Sequence, residues 1–413
     1  MARLRYGPGT HLATLMSQPV HIWFEEGQED GEVVRRLVCE GVVGPGAPRL
    51  DLWWRIPGIA SLPTPPVLDS LLGGPLLWAA MSDQDVVVHG PVSAGGLYNL
   101  SQLIEVRQRL SPERYPRVIE VRPDSILKVA RDAHEPSKAI AALSGGLDST
   151  FTAVRHGLGL AGEATIPIEA MVMIHGFDAS LDRMDQFDAM RRRAEPTIKL
   201  LDVPLHVVRT NSKLGGRTWP HSAIPLTVGA LSHFGHLAPI ALVSCAAPYG
   251  IPRYGISHPT AIESLASGDW FRVVTDGSGF GRAEKADLLA PYPAVLAAIK
   301  VCWEGDDPGK NCGVCEKCVM TRLNFLAAGI RDAPCFDTPL TPDLIAGLSM
   351  RSMNGARGLF RDCWNELEAR NCSGPEVDLL RRRLSRVPPD VVVDNIARLL
   401  PQWVKQLIKR ALA

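Results

Sequence analysis

The sequence predicts an α/β protein: a doubly wound parallel sheet, preceded by a strand-rich N-terminal domain and followed by a helical C-terminal region. Three observations predict it. Between about residues 136 and 244, short apolar runs alternate with helical segments at the spacing of βαβ units. Before residue 136, runs of strand character are separated by Gly/Pro-rich punctuation such as GVVGPGAP at 41–48 and IPGIASLPTPP at 57–66. After about residue 330 the pattern is helical, with no strong strands. The expected divisions are 1–135, 136–330 and 331–413.

The composition allows this plan. Of 413 residues, 46% are hydrophobic and 21% charged, enough apolar material for packed cores. Lys+Arg and Asp+Glu balance at 44 each, so no basic field indicates nucleic acid as a partner. The N-terminus lacks a continuous apolar signal segment, and no stretch reaches the length of a membrane span. The expectation is a cytoplasmic protein without a membrane partner, in which clustered cysteines are metal ligands or reactive thiols rather than disulfides.

Taken in order, Val20–Phe24, Leu50–Trp54 and Asp85–His89 read as strands. A helix is expected over 97–110, with Leu100, Leu103, Ile104, Val106 and Leu110 near one face. This region carries no catalytic motif and reads as an appendage, structural or for recognition of a substrate or partner. Lys138–Leu143 reads as a strand buried on both faces. Further strands are expected at Ile168–Ile174, Pro204–Val208 and Ile240–Ser244, with helices through Leu201 and over 222–237. The closing segment Asn395–Leu412 has the spacing of an amphipathic helix packed on the domain.

The strongest chemical signal lies between the first apolar strand and its helix: Ser144-Gly145-Gly146-Leu147-Asp148-Ser149-Thr150. Two glycines let the backbone turn sharply beside an anion, and the next helix points its free N–H groups and positive dipole end at the same place. Ser144, Ser149 and Thr150 add hydroxyls; Asp148 can cap the helix or help hold Mg²⁺ against phosphate oxygens. No lysine follows in the Walker arrangement, and the third glycine of the dinucleotide fingerprint is missing.

The second signal is Cys302-x9-Cys312-x2-Cys315-x2-Cys318. Four thiolates can close a tetrahedral Zn²⁺ site, and the short spacings let one turn present successive sulfurs to one ion. Zinc is preferred to an iron–sulfur cluster. With four protein ligands no position is left for substrate, so the metal is expected to be structural.

SGGLDS matches the SGGxDS signature of the PP-loop, or N-type, ATP pyrophosphatases. Together with the later CGxCxxC knuckle, the stretch 140–328 resembles 7-cyano-7-deazaguanine synthases. The resemblance implies an adenine nucleotide alpha hydrolase-like fold and an ATP-dependent ligase. The loop Ser144–Thr150 then holds ATP, with Ser144, Asp148, Ser149 and Lys285 in catalytic roles. A carboxylate, of the 7-deazaguanine class, is adenylated with release of pyrophosphate and passed to an amine, either ammonia or an amine of a small molecule or protein. Arg282 and Lys285 are placed like the family's lysine-bearing helix start, to meet phosphate or carboxylate. Ser244 and Tyr249 fall in its base-recognition region, and His221 in its helix-opening turn. Some relatives with added domains serve in antiviral defence, where a protein partner supplies the acceptor. This chain departs from the family in its residues before 136 and after 328, and in lacking Arg-Asn in the substrate turn. The departures fit a diverged ligase with a different amine acceptor.

Other candidates rest on position alone. His175 and Asp178 end the second strand of the parallel series, where such sheets bind ligands, and are candidates for nucleotide or substrate contacts against ordinary turn residues. His221 is a helix cap or a substrate contact. Cys245 is a buried small residue, or the thiol that a sulfur-transfer enzyme on the same loop would need. A non-catalytic nucleotide-binding assembly subunit is the third reading. A homodimer is compatible with all three.

Overall fold

The computed structural model describes residues 18–43, 47–129, 138–213, 219–245, 260–302, 304–305, 307, 309–348 and 356–385. The expected closing helix at 395–412 and the candidate Tyr249 lie outside them. Strands β1 (Val20–Glu29), β2 (Glu32–Val43) and β3 (Ala47–Ile56) form an antiparallel meander. Helix α1 (Asp69–Met81), β4 (Val86–Ser93), α2 (Ala94–Leu110) and β5 (Val121–Leu127) follow. Then come β6 (Ala139–Ala142), α3 (Leu147–Gly157), β7 (Ile168–His175), α4 (Met184–Leu201), β8 (Leu205–Thr210), α5 (Trp219–Ser232) and β9 (Ile240–Ser244). The order continues with α6 (Thr260–Glu263), β10 (Arg272–Asp276), α7 (Arg282–Leu289), α8 (Pro293–Ala298) and α9 (Glu316–Ala327). Helices α10 (Pro342–Ala346), α11 (Ala356–Ala369) and α12 (Pro375–Ser385) close the described chain.

The protein is a mixed α/β fold on one ten-stranded sheet, ordered β10-β9-β6-β7-β8-β3-β2-β1-β4-β5. The five strands from β10 to β8 are mutually parallel; β6, β7, β8 and β9 fall on the four expected strands, and β10 lies outside them. Their side chains alternate between two cores. Ile140, Val172, Ala241 and Val243 join one core with Leu226 and Val228 of α5, while Ala141, Met171, Met173 and Leu242 join another with Ala153 of α3 and Phe187 of α4. Burial on both faces is why β6 and β9 read as apolar runs.

The N-terminal strands extend the same sheet. β3 lies antiparallel beside β8, with Trp54 opposite Thr210 and Arg55 opposite Arg209. Asn211 prolongs that seam: its amide oxygen accepts from Trp53 N at 2.9 Å and its amide nitrogen donates to Asp51 O at 2.8 Å. Among the described residues, no helix is long and apolar enough to cross a membrane.

Candidate active site and metal centre

From β6 the chain runs outward to β7 and β8 on one side, then returns to β9 and β10 on the other. The carboxyl ends of β6 and β9 therefore flank a topological switch point, where an open sheet leaves a crevice. The Ser-Gly-Gly loop sits there. Gly145 has φ +77°, a left-handed conformation that favours glycine. The loop is closed by its own hydroxyls. Ser149 Oγ accepts from Ser144 N at 3.1 Å and lies 3.0 Å from Ser144 Oγ, which accepts from Gly146 N at 3.3 Å. The N-cap of α3 is Gly146, which offers no capping side chain, so the first-turn N–H groups stay available to an anion. Thr150 is buried in the helix.

Asp148, in the first turn of α3, meets two cations from the start of α7. Lys285 Nζ donates to Asp148 Oδ1 at 2.8 Å, and Arg282 Nη2 to Oδ2 at 3.1 Å. Lys285 is 1% exposed and Asp148 19%. Burial alone would raise the Asp148 carboxyl, but Arg282 and Lys285 outweigh it and hold it at about 2. Lys285 also donates to the carbonyl of Cys245, and a Cβ at Gly277 would lie 3.1 Å from its Cε, so its path is fixed by backbone on both sides. The C-terminal region supports the same helix: Glu366 of α11 accepts from Ala283 N at 2.9 Å.

Beside the loop opens a cleft of about 700 Å³, solvent mouth included. Ser144, Ser149, Asp178 and Ser244 supply its polar rim, and Met173, Phe177, Phe187 and Trp219 much of its apolar wall. Phe177 and Trp219 meet edge to face at 4.8 Å, and Lys213 Nζ lies 4.7 Å from the centre of the Trp219 ring. An aromatic wall beside a polar rim that includes the loop serines is a lining on which an aromatic group with a polar end can pack.

Neither His175 nor His221 lines this cleft. His175 is fully buried, stacked on Phe187 at 4.6 Å, with Nε2 2.9 Å from Ser180 O. His221, in the first turn of α5, is 3% exposed and packs against Arg107 and Tyr115. Burial, then Arg107 and Arg114, lowers its pKa from 6.5 to about 4. A folded-state pKa below the unfolded one means stability present above about pH 6.5 and lost as pH falls toward 4. The melting temperature of His221→Gln should therefore fall less steeply than that of the parent chain across this window, in thermal melts at matched pH. Equal slopes would show that His221 does not titrate as described.

Lys317, like the cleft residues Met173, Phe177, Phe187 and Lys213, was not singled out from the sequence. Lys317 stands between two cysteines of the knuckle, and its charge acts on Asp178, Arg282 and Asp148; burial lowers its pKa. A cation among ligand positions was the available signal.

Cys302, Cys312, Cys315 and Cys318 bring their sulfurs within 4.8 Å of one another. Cys312 and Cys318 are 3.8 Å apart, Cys315 and Cys302 3.7 Å. Sulfurs about 2.3 Å from a tetrahedral zinc ion stand about 3.8 Å from each other, so the four fit such an ion. Gly313, at φ +78°, makes the turn between them. Backbone N–H groups of Cys315 and Glu304 point at the sulfurs of Cys312 and Cys302, at 3.4 and 3.3 Å. The centre is tied to the loop, since Lys300 N, two residues before Cys302, donates to Gly145 O at 2.9 Å.

No family model and no solved structure matches the chain. Among curated proteins it is similar to a 7-cyano-7-deazaguanine synthase of Cupriavidus metallidurans, 45% identical over 54 residues that cover 11% of this chain and 24% of that relative. The match thus spans about a quarter of the curated relative's length. It supports a PP-loop or 7-cyano-7-deazaguanine synthase-like family at most, and suggests an enzyme.

Proposed function

We propose that the chain is an ATP-dependent ligase of the 7-cyano-7-deazaguanine synthase-like type, on a doubly wound PP-loop fold. One observation carries the reading: an uncapped helix N-terminus behind a Ser-Gly-Gly loop that borders an aromatic cleft, with Arg282 and Lys285 held on Asp148 of the same helix. The phosphates of ATP bind the N–H groups of the loop, and the cleft takes an aromatic base. An oxygen of the substrate carboxylate attacks the α-phosphorus, and the bond to the bridging oxygen of the β-phosphate breaks, releasing pyrophosphate. An amine then attacks the acyl carbon, AMP leaves with the oxygen, and the amine loses a proton. Lys285 and Arg282 offset negative charge gathering on the phosphates, held ready by Asp148. Asp148 would also be a ligand for Mg²⁺, which supplies further charge neutralisation when bound. The four cysteines would hold zinc in a structural role. Cys245, the thiol that a sulfur-transfer reaction would use, is buried, which favours the ligase.

The test is incubation with Mg-ATP and 7-carboxy-7-deazaguanine, with and without ammonia, read by mass spectrometry. Pyrophosphate and AMP with an adenylate, amide or nitrile of the base are expected. ATP binding without pyrophosphate, for this and a panel of other carboxylates, would replace the ligase with a nucleotide-binding subunit.

A further inference from the structure

The N-terminal portion carries no catalytic motif, yet it reaches the back of the cleft wall. Helix α5 gives Trp219, Ile224 and Thr227 to the cleft. Its other side, about half a turn round the helix, faces α1. There the two backbones touch. A Cβ at Gly73 would lie 2.7 Å from Pro225 Cβ, and one at Gly229 would lie 3.2 Å from Ser70 O.

Pro225 has no N–H, so the carbonyl of His221, four residues earlier, loses its helical partner. Arg107 of α2 replaces it: Nη2 donates to His221 O at 3.1 Å, while Nη1 lies 3.4 Å from His221 Nδ1. The guanidinium is buried, so the contact is fixed rather than solvent-averaged. Residues of the N-terminal portion thus supply both the seat of the proline ring and the hydrogen bond that the proline removes, directly behind Ile224.

We infer that Gly73 and Arg107 are positioning residues for the cleft, setting the depth of the α5 wall against which a bound aromatic base packs. The inference rests on the proposed nucleotide reading for its ligand. It gives the N-terminal portion a part in selecting what binds.

The experiment compares Gly73→Ala, Arg107→Gln and Arg107→Lys with Gly27→Ala, where an added Cβ meets nothing within 4 Å. Calorimetry with Mg-ATP and with inorganic tripolyphosphate is paired with hydrogen exchange of the α5 and α9 amides. Gly73→Ala and Arg107→Gln should weaken ATP about tenfold, leave tripolyphosphate within about twofold, and speed exchange in α5 but not α9. Arg107→Lys should recover part of the loss, and Gly27→Ala should match the parent chain. Unchanged ATP affinity in folded variants, or a parallel loss of ATP and tripolyphosphate, overturns the inference. Should Gly73→Ala fail to fold, Arg107→Gln decides. A parent chain that binds neither ligand removes the nucleotide reading instead; α5 exchange then decides alone, and unchanged exchange overturns the inference.

Discussion

Asp148→Ala should abolish measurable pyrophosphate release while leaving Mg-ATP bound within about tenfold of the parent affinity, a loss of at least about 10²-fold in turnover. The reasoning is electrostatic. The carboxylate accepts from Lys285, which is 1% exposed, and from Arg282. Removing it leaves two cations near a triphosphate site, so attraction for the nucleotide persists. Their alignment does not: Lys285 keeps its bond to the Cys245 carbonyl but loses the partner that sets its other side. Buried charge without its partner also costs stability, so melting should fall as well. Asp148→Asn separates the effects, because it keeps the shape and removes only the charge. Pyrophosphate release at the parent rate in either variant would remove Asp148, and with it the proposed chemistry at this loop.

Cys315→Ser should lower zinc from one ion per chain to a small fraction and depress the melting temperature by upwards of about 10 °C, since a structural zinc contributes folding free energy directly. Zinc can be read by mass spectrometry of the intact chain under native conditions. The fall should extend to nucleotide affinity. The charge of Lys317, between two knuckle cysteines, is felt at Asp148, and Lys300 N donates to Gly145 O two residues before Cys302. A variant that lost zinc and kept both its melting temperature and its ATP affinity would show that the four thiols serve neither fold nor loop.

Strands β6 and β9 were readable because each is a short apolar run: β9, for example, runs over the expected Ile240–Ser244, whereas β10, Arg-Val-Val-Thr-Asp, has charged ends and left no such mark. The helix over Met184–Leu201 was equally plain, despite Pro196 within it. Other elements left weaker marks. Helix α1, Asp-Ser-Leu-Leu-Gly-Gly-Pro-Leu-Leu-Trp-Ala-Ala-Met, is apolar all round because nearly every residue is buried, so no amphipathic period marks it. Strand β2 mixes charged and apolar residues along its length, and β5 is mostly exposed at the sheet edge with a proline inside. At the site, loop and cysteine spacings are local in sequence and were legible. The Asp148–Arg282–Lys285 cluster joins residues about 135 positions apart, and only the resemblance had put those two cations near phosphate. His175 and His221 illustrate the converse. A histidine at a strand end or helix start looks functional in sequence, but packing against Phe187 or Arg107 is invisible until the chain is folded.

The seam between β3 and β8 has a consequence for solubility. In a parallel series a terminal strand ordinarily offers a row of unpaired N–H and C=O groups, a template for another chain to join. Here β8 turns that row toward the meander, and Asn211 extends the closure by one side chain. A fragment cut to begin near residue 136 would keep the phosphate loop and the four cysteines yet bare β8 from Leu205 to Thr210. Its first hazard would be self-association edge to edge, before any question of its chemistry arose.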